Sequence, residues 1–401
     1  MGHFILKNPP DIEGESWESI LSRSITTPLD LPEFLRIGKT EDLEKVAQKY
    51  PMRINPYYLH LIRKKRDPFY KQAVPDVREL TDKKGFDDPL NEEELSPVPG
   101  LTHHYPDRVL FLVSSRCSMY CRFCNRKRKV GHPSMVTRET IREGIAYIRK
   151  NRKVRDVLLS GGDPLLLPDK ELYRILTELR SISHVEIIRI GTRAPCTLPQ
   201  RITPELAGLL RGFHPLFINT HFNHPDEITG EAAVACARLA DAGIPLGCQT
   251  VLLKGVNDDQ TTILKLMQKL LVVRVRPYYL FQADLAKGTS HFWTPLNKGL
   301  RILSKLQGHT TGLCVPHFAV DLAGGGGKVN LVPPGLVERE GRTSIRNYLG
   351  KEYEWNQEEV PKMPKVPFRA VGPTGRRLKC LKLEERIQKT GDSIKSVNSD
   401  Q

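Results

Sequence analysis

Aromatic residues are few, 7% of 401 positions, and tryptophan occurs three times. The aromatic-interleaved basic stretches that mark many nucleic-acid-binding folds are missing with them. No apolar run approaches the ~18 residues that would cross a bilayer. The opening Met1-Gly2-His3-Phe4-Ile5-Leu6-Lys7 is too short in apolar residues for a secretory leader, and Leu6 departs from a myristoylation signal. A soluble, cytoplasmic protein without a membrane partner is therefore expected. Cysteine is also scarce. Of eight, Cys196, Cys236, Cys248, Cys314 and Cys380 are scattered without pairing rhythm, which suits a reducing compartment and argues against a disulfide framework.

One charge sign is in excess: 61 basic residues against 46 acidic ones give a formal +15. Such a balance raises the question of a polyanionic partner. The basic residues are spread along the chain, however, with a short run at Arg126 to Lys129 and a basic tail around Arg376-Arg377. They read as solvated surface, and a nucleic-acid partner is not expected.

The remaining three cysteines are organised. The apolar stretch Val109-Leu110-Phe111-Leu112-Val113 runs directly into Cys117, Cys121 and Cys124. Three thiols cannot close into disulfides without one left over. Zinc usually takes a fourth protein ligand. A [4Fe–4S] cluster usually takes four thiolates, so three leave one iron open to an exogenous ligand. The spacing Cys-x3-Cys-x2-Cys, with Phe123 before the last cysteine, resembles the radical S-adenosylmethionine (SAM) superfamily.

Residues 1–100 carry helical patterns near Ser16 to Ser24, Glu41 to Lys49 and Pro56 to Lys64, and are expected to form an N-terminal helical subdomain. From Val109 the rhythm changes. Short apolar or β-branched runs begin near 109, 156, 185, 216, 246 and 274, with helical patterns between them: Arg138 to Lys150, Asp169 to Arg180, Pro204 to Arg211, Pro225 to Ala242 and Gln260 to Leu271. After the first interval the step is about 30 residues, the length of a βα unit. Six such units predict an α/β fold, a partial (β/α)6 TIM-type barrel of the radical SAM type over residues 101–332, followed by a C-terminal extension and basic tail over 333–401. Functional residues of parallel barrels lie where strands end. The strand exits here are polar throughout: the cysteine loop, Ser160-Gly161-Gly162-Asp163, Arg193, Asn219-Thr220-His221, Gln249, and Tyr279 with Asp284.

After a helical pattern from Pro295 to Gly308, Phe318 to Asp321 leads into Gly324-Gly325-Gly326-Gly327-Lys328. Val329 follows where a Walker A loop needs Ser or Thr. The glycines suit either a flexible turn with a solvated lysine or a close approach of backbone to a ligand.

Cys117 to Arg126, Ser160 to Pro164, Asp321 to Lys328, Tyr105-Pro106-Asp107-Arg108 and Gln282-Ala283-Asp284 together resemble the lysine 2,3-aminomutase family. The likeness spans residues from about 50 to about 350. It implies an isomerase that uses SAM, a [4Fe–4S] cluster and pyridoxal phosphate to convert L-lysine to β-lysine. Carried across, Cys117, Cys121 and Cys124 ligate the cluster, while SAM chelates the open iron. Gly161, Gly162 and Asp163 match the SAM-contacting loop, with His221 and Gln249 nearby. Lys328 matches the lysine joined to pyridoxal phosphate, and Tyr105 and Arg108 fall at that cofactor's site. Arg126 matches the arginine that receives the substrate carboxylate. Asp284 and Asp321 occupy the positions that hold the distal ammonium, a pair that repels an anionic side chain.

The chain departs from the family pattern at Phe123, where histidine can stand, and at His104, where arginine can contact phosphate. Some relatives also carry a zinc site with a cysteine following the segment that here is Gly255-Val256-Asn257-Asp258. Asp259 stands there instead and Cys380 is the only tail cysteine, so no zinc is expected. The partners implied are the small-molecule substrate, an electron donor such as flavodoxin or ferredoxin, and further copies of the chain in a homo-oligomer. The competing readings are an aminomutase acting on arginine or on a protein-bound lysine of a translation factor, an RNA-modifying radical SAM enzyme, and a simple iron–sulfur electron carrier.

Overall fold

The architecture comes from a computed structural model that describes residues 12, 14–332, 336–339, 342–347 and 349–354. The tail around Arg376-Arg377 and Cys380 lies outside the described residues. The chain divides into two units, the first Met1–Pro334 with Tyr348–Gly350 and the second Gly335–Asn347 with Lys351–Gln401.

In the first unit, nine strands form one sheet in chain order: β1 (Leu101–Tyr105), β2 (Arg108–Ser114), β3 (Asp156–Gly161), β4 (Ile187–Gly191), β5 (Leu216–Thr220), β6 (Leu246–Leu252), β7 (Arg276–Gln282), β8 (His317–Leu322) and β9 (Gly327–Leu331). Strands β2 to β8 are parallel; β1 and β9 run antiparallel at the two edges. The six expected βα units are present, and β8 adds a seventh parallel strand. The sheet curls into a nearly closed barrel. Its edges, β1 and β9, share no ladder; instead the Tyr105 hydroxyl accepts from the Lys328 N–H at 2.9 Å.

The connecting helices form where apolar residues recur at helical spacing behind a cap. Arg138–Lys150 starts with Thr137 accepting from Thr140 N and buries Ile141, Ile145 and Ile148 against the sheet. The pattern predicted over Pro225 to Ala242 splits into a turn at Pro225–Glu227 and a helix at Gly230–Asp241, because Thr229 caps a new start by accepting from Ala232 N.

Alternation along the strands decides what the barrel is for. Val109, Phe111 and Val113 on β2 and Val157 and Leu159 on β3 are buried beneath the helices. Their inward neighbours, among them Arg108, Leu110, Asp156, Leu158 and Ser160, are only partly buried and line a cavity of about 710 Å3. A barrel interior is ordinarily filled by branched side chains. Here it is hollow, of a size that suits small-molecule ligands.

The N-terminal residues share the barrel's core: Ile20, Leu31, Ile54, Tyr58 and Ile62 belong to the same apolar cluster as Val109 and Ile188. Ile54 pairs with Met119 in an isolated bridge, tying this segment to the cysteine loop. In the second unit, β10 (Leu336–Arg339), β11 (Arg342–Arg346) and β12 (Glu352–Glu354) form an antiparallel meander.

Candidate active site

The cysteine loop leaves β2 with little secondary structure of its own and is held by side chains and backbone of the N-terminal segment. Asn55 Nδ2 donates to Ser118 O (3.1 Å) and Thr197 O (2.8 Å), Arg53 reaches Cys117 O, and Arg122 N donates to Gln72 O at 2.8 Å. Arg122, between two of the cysteines, is 1% exposed and forks onto Glu79 at 2.9 and 2.6 Å, while Lys127 Nζ reaches the same carboxylate at 2.8 Å. Burial works against ionised Glu79, but the two cations hold its carboxyl below the usual range.

Cys117, Cys121 and Cys124 are free and together line the cavity. Burial, then the charge of Asp163 and the neighbouring thiols, pushes Cys117 up strongly, and burial with the Cys121 thiol pushes Cys124 to about 11. Among the described residues no three His, Cys, Asp or Glu side chains converge on a single-ion site. Three thiols on one wall suit a [4Fe–4S] cluster, whose separate irons each take one thiolate.

Next to them, Gly161 and Gly162 bring the end of β3 against the loop. A Cβ on Gly161, whose φ is +124°, would lie 2.1 Å from Ser114 O, and one on Gly162 would lie 2.4 Å from Arg116 O. Packing alone thus explains both glycines, and both also line the cavity. Asp163 is buried with its carboxylate fully occupied, accepting from Leu165 N, Thr192 Oγ1 and Arg193 N. His221 and Gln249 line the same wall. Burial lowers His221 to about 3, so the ring is neutral. Its Nε2 carries the proton, because Asn223 Oδ1, 2.8 Å away, is already fixed as an acceptor by Val251 N. Phe123 tilts onto the His221 ring at 5.5 Å. Sequence reasoning left Asn219, Thr220 and Arg193 without roles beyond marking strand exits. Asn219 Nδ2, Thr220 Oγ1 and Arg193 Nε are buried, line this cavity and make no hydrogen bond among the described residues. Buried polar atoms left unsatisfied on cavity-lining residues call for a polar ligand nearby, and SAM fits.

Lys328 stands elsewhere on the cavity wall. The glycine run is a tight turn rather than an open loop: Gly324, Gly325 and Gly327 take φ of +70°, +78° and +83°, and the chain returns immediately as β9 with Lys328 opposite Asp321. Lys328 Nζ lies 2.7 and 2.8 Å from the two Asp321 oxygens. Around it are Tyr105, with Arg108 stacked on its ring at 4.0 Å, and His104 beside Gly327. A lysine amine with an arginine, a phenol and an imidazole alongside fits an aldehyde cofactor bearing a phosphate.

Asp284 completes the group. It accepts from Asn125 Nδ2 at 2.7 Å, and burial, followed by the charge of Asp321, raises it to about 6. Arg126 lines the cavity with Nε on Glu92 at 2.8 Å. The basic run is paired internally: Arg126 with Glu92, Arg128 with Asp88 and Glu93, and Lys129 near Glu92 and Glu93. This removes the main motive for a nucleic-acid surface at the cysteines. Asp259 caps the helix Gln260–Val272 by accepting from Thr262 N. No helix among the described residues is long and apolar enough to cross a membrane.

The geometry agrees with what comparison finds. A model described as the radical SAM superfamily matches residues 111–267, and one described as lysine-2,3-aminomutase matches 303–366. An L-lysine 2,3-aminomutase from Methanococcus maripaludis is 52% identical, over 82% of this chain and 78% of that protein. One from Clostridium subterminale is 48% identical over 86% and 85%. A glutamate 2,3-aminomutase from Clostridioides difficile is 41% identical over 88% and 86%.

Proposed function

Because the chain belongs to the lysine 2,3-aminomutase family, we propose that it is an isomerase that moves the α-amino group of L-lysine to the β-carbon, giving β-lysine. When bound, the reduced cluster and SAM supply a hydrogen-abstracting radical, and pyridoxal phosphate carries the migrating nitrogen.

The protein's own residues bind, orient and enclose. Cys117, Cys121 and Cys124 hold the cluster. Gly161, Gly162 and Asp163 shape the SAM wall, where His221 Nδ1 and the Gln249 amide offer polar contacts. Tyr105 and Arg108 seat the phosphate-bearing cofactor beside Lys328. Arg126, whose planar fork matches a carboxylate, orients the α-carboxylate of lysine, and Asp284 and Asp321 receive its ε-ammonium. All these groups line one cavity, so a substrate held at both ends keeps its reacting carbons facing the thiol wall. That orientation is the protein's contribution to rate. An electron donor is required, and association with further copies of the chain is part of the same reading.

The observation that carries the substrate assignment is the ammonium of Lys328 seated on Asp321 with Asp284 adjacent. Two carboxylates at this spot select a cationic side chain over the anionic one of glutamate. The test is an anaerobic preparation with iron, sulfide, pyridoxal phosphate, SAM and reductant, offered lysine, arginine and glutamate separately. β-Lysine from lysine alone is expected. Turnover of arginine or glutamate without lysine defeats the assignment.

A further inference from the structure

Arg193, just beyond β4, touches a thiol that the reaction cannot do without. Its Nη1 lies 2.9 Å from Cys121 Sγ. Its Nη2 donates to Gln72 Oε1 (2.7 Å) and to Glu227 Oε1 (2.9 Å), while its backbone N–H is held by Asp163 at 2.8 Å. Glu227, 0% exposed, is itself fixed by Tyr58, by Gln72 and by the N–H groups of Asn223 and His224. The guanidinium carbon lies 5.3 Å from the Phe123 ring centroid, so its aim at sulfur is set from several sides.

We propose that Arg193 is a positioning residue for the cluster, its Nη1–H···Sγ contact fixing Cys121 and raising the cluster's reduction potential. The inference rests on the cluster-binding reading of the three cysteines. On reduction, one electron passes from a low-potential one-electron carrier to the cluster, the carrier is oxidised by one electron, and no proton need move. The added negative charge is shared with the thiolate sulfurs. A donor already aimed at one of them stabilises the reduced form more than the oxidised form, and hydrogen bonds to sulfur are among the main determinants of such potentials. Glu227 offsets the guanidinium's net charge, leaving the directed N–H as the principal effect. Only arginine can span these partners, because its donors point along a fixed fork. Its Nε is buried and has no hydrogen-bond partner among the described residues.

The test is an EPR-monitored redox titration of the reconstituted holoprotein without SAM or lysine, comparing wild type, Arg193→Lys and Glu227→Gln. Arg193→Lys is expected to retain iron and sulfide while its reduced-to-oxidised ratio at a given potential falls about tenfold, or about 59 mV for one electron. Glu227→Gln, which leaves the guanidinium charge uncompensated, is expected to move the ratio the other way. Opposite shifts distinguish an electrostatic role from general loosening. A wild-type potential in fully loaded Arg193→Lys overturns the proposal. Should that variant not assemble a cluster, wild-type protein labelled at the arginine guanidinium nitrogens replaces it. A hyperfine coupling from the label to the reduced cluster is expected, and its absence overturns the proposal. If wild type takes up no cluster, the proposed function fails and carries this inference with it; if wild type turns over lysine and only the Arg193 effects are missing, this inference fails alone.

Discussion

Lys328 Nζ sits between the two oxygens of Asp321, at 2.8 and 2.7 Å, with the Phe281 ring centroid 4.0 Å from the same nitrogen. Under the proposed function this carboxylate would receive the distal ammonium of a lysine substrate, and one of the chain's own primary ammonium groups occupies it. On the proposed reading Lys328 would hold pyridoxal phosphate, and Asp321 would be open to a substrate only while the lysine is so engaged. The same side chain would then couple cofactor loading to creation of the substrate site.

Replacing Lys328 with alanine tests this coupling. Lys328→Ala is expected to keep its iron and sulfide, to lose the visible absorbance of lysine-bound pyridoxal phosphate and to lose turnover. Absorbance spectroscopy with iron analysis on one preparation checks both halves. A retained cofactor band would remove the assignment.

The raised Asp284 sets a pH dependence. Its folded pKa of about 6 exceeds the ordinary carboxyl value, so the ligand-free folded protein binds its proton more tightly than the unfolded chain. Stability linked to Asp284 is present at low pH and is lost as pH rises from the usual carboxyl range through about 6, a cost of about 3 kcal/mol at 1.36 kcal/mol per unit. Binding of a cation requires the ionised form. KM for lysine is thus expected to climb below pH 6, approaching about tenfold per unit. Asp284→Asn should flatten that limb and raise KM at neutral pH by about 30-fold or more, from the ~2 kcal/mol lower bound for breaking a buried charge pair. Initial rates against lysine concentration from pH 5 to 8 measure this.

What the sequence made legible, and what it hid, divide along one physical line. Strands and most helices announce themselves through local periodicity: Arg138–Lys150 and Asp169–Arg180 end where their patterns end. The cysteine triplet and the Gly-Lys junction are also local, with fixed spacing. Glu79, Glu92 and Gln72 gave no such signal. Each works on a partner far along the chain, Glu79 on Arg122, Glu92 on Arg126 and Gln72 on Arg193, and an acidic or amide residue in a polar segment looks the same whether solvated or buried against a cation. The basic run Arg126 to Lys129 misled for the same reason, since its counter-charges are Glu79 for Lys127 and residues between Asp88 and Glu93 for the others. A buried arginine such as Arg193 could have been suspected only from its place at a strand exit.

Arg126 offers a test of carboxylate recognition. Glu92 Oε1 takes both Nε and Nη2, at 2.8 and 2.6 Å, which fixes the guanidinium plane. A lysine there keeps the charge and loses the second parallel hydrogen bond to a carboxylate. Arg126→Lys is expected to lose about 1.5–3 kcal/mol of substrate binding, the value of a hydrogen bond to a charged group, or roughly 10- to 150-fold in kcat/KM. The loss should vanish for binding of a lysine analogue without its carboxylate, measured by competition.

The cysteine loop depends on a carboxylate that never touches the cavity. Glu79 is 0% exposed and is the shared partner of Arg122 and Lys127, which are 1% and 8% exposed. Removing the anion strands two cations in the interior, and breaking a buried pair in this way costs about 3–5 kcal/mol. Lys127 can shed part of that cost, because burial already lowers its pKa to about 8; Arg122 cannot, since a guanidinium does not deprotonate in proteins. Arg122 lies next to Cys121, so its displacement carries the loop with it. Glu79→Ala is therefore expected to lower unfolding free energy by about 3–5 kcal/mol and to leave the protein substoichiometric in iron. Glu79→Gln, which can still accept one N–H from Arg122, should lose less of both. Urea denaturation of the metal-free protein beside iron analysis of the reconstituted one separates the outcomes: a stability loss with full iron uptake would show that Glu79 supports the N-terminal segment without governing the thiols.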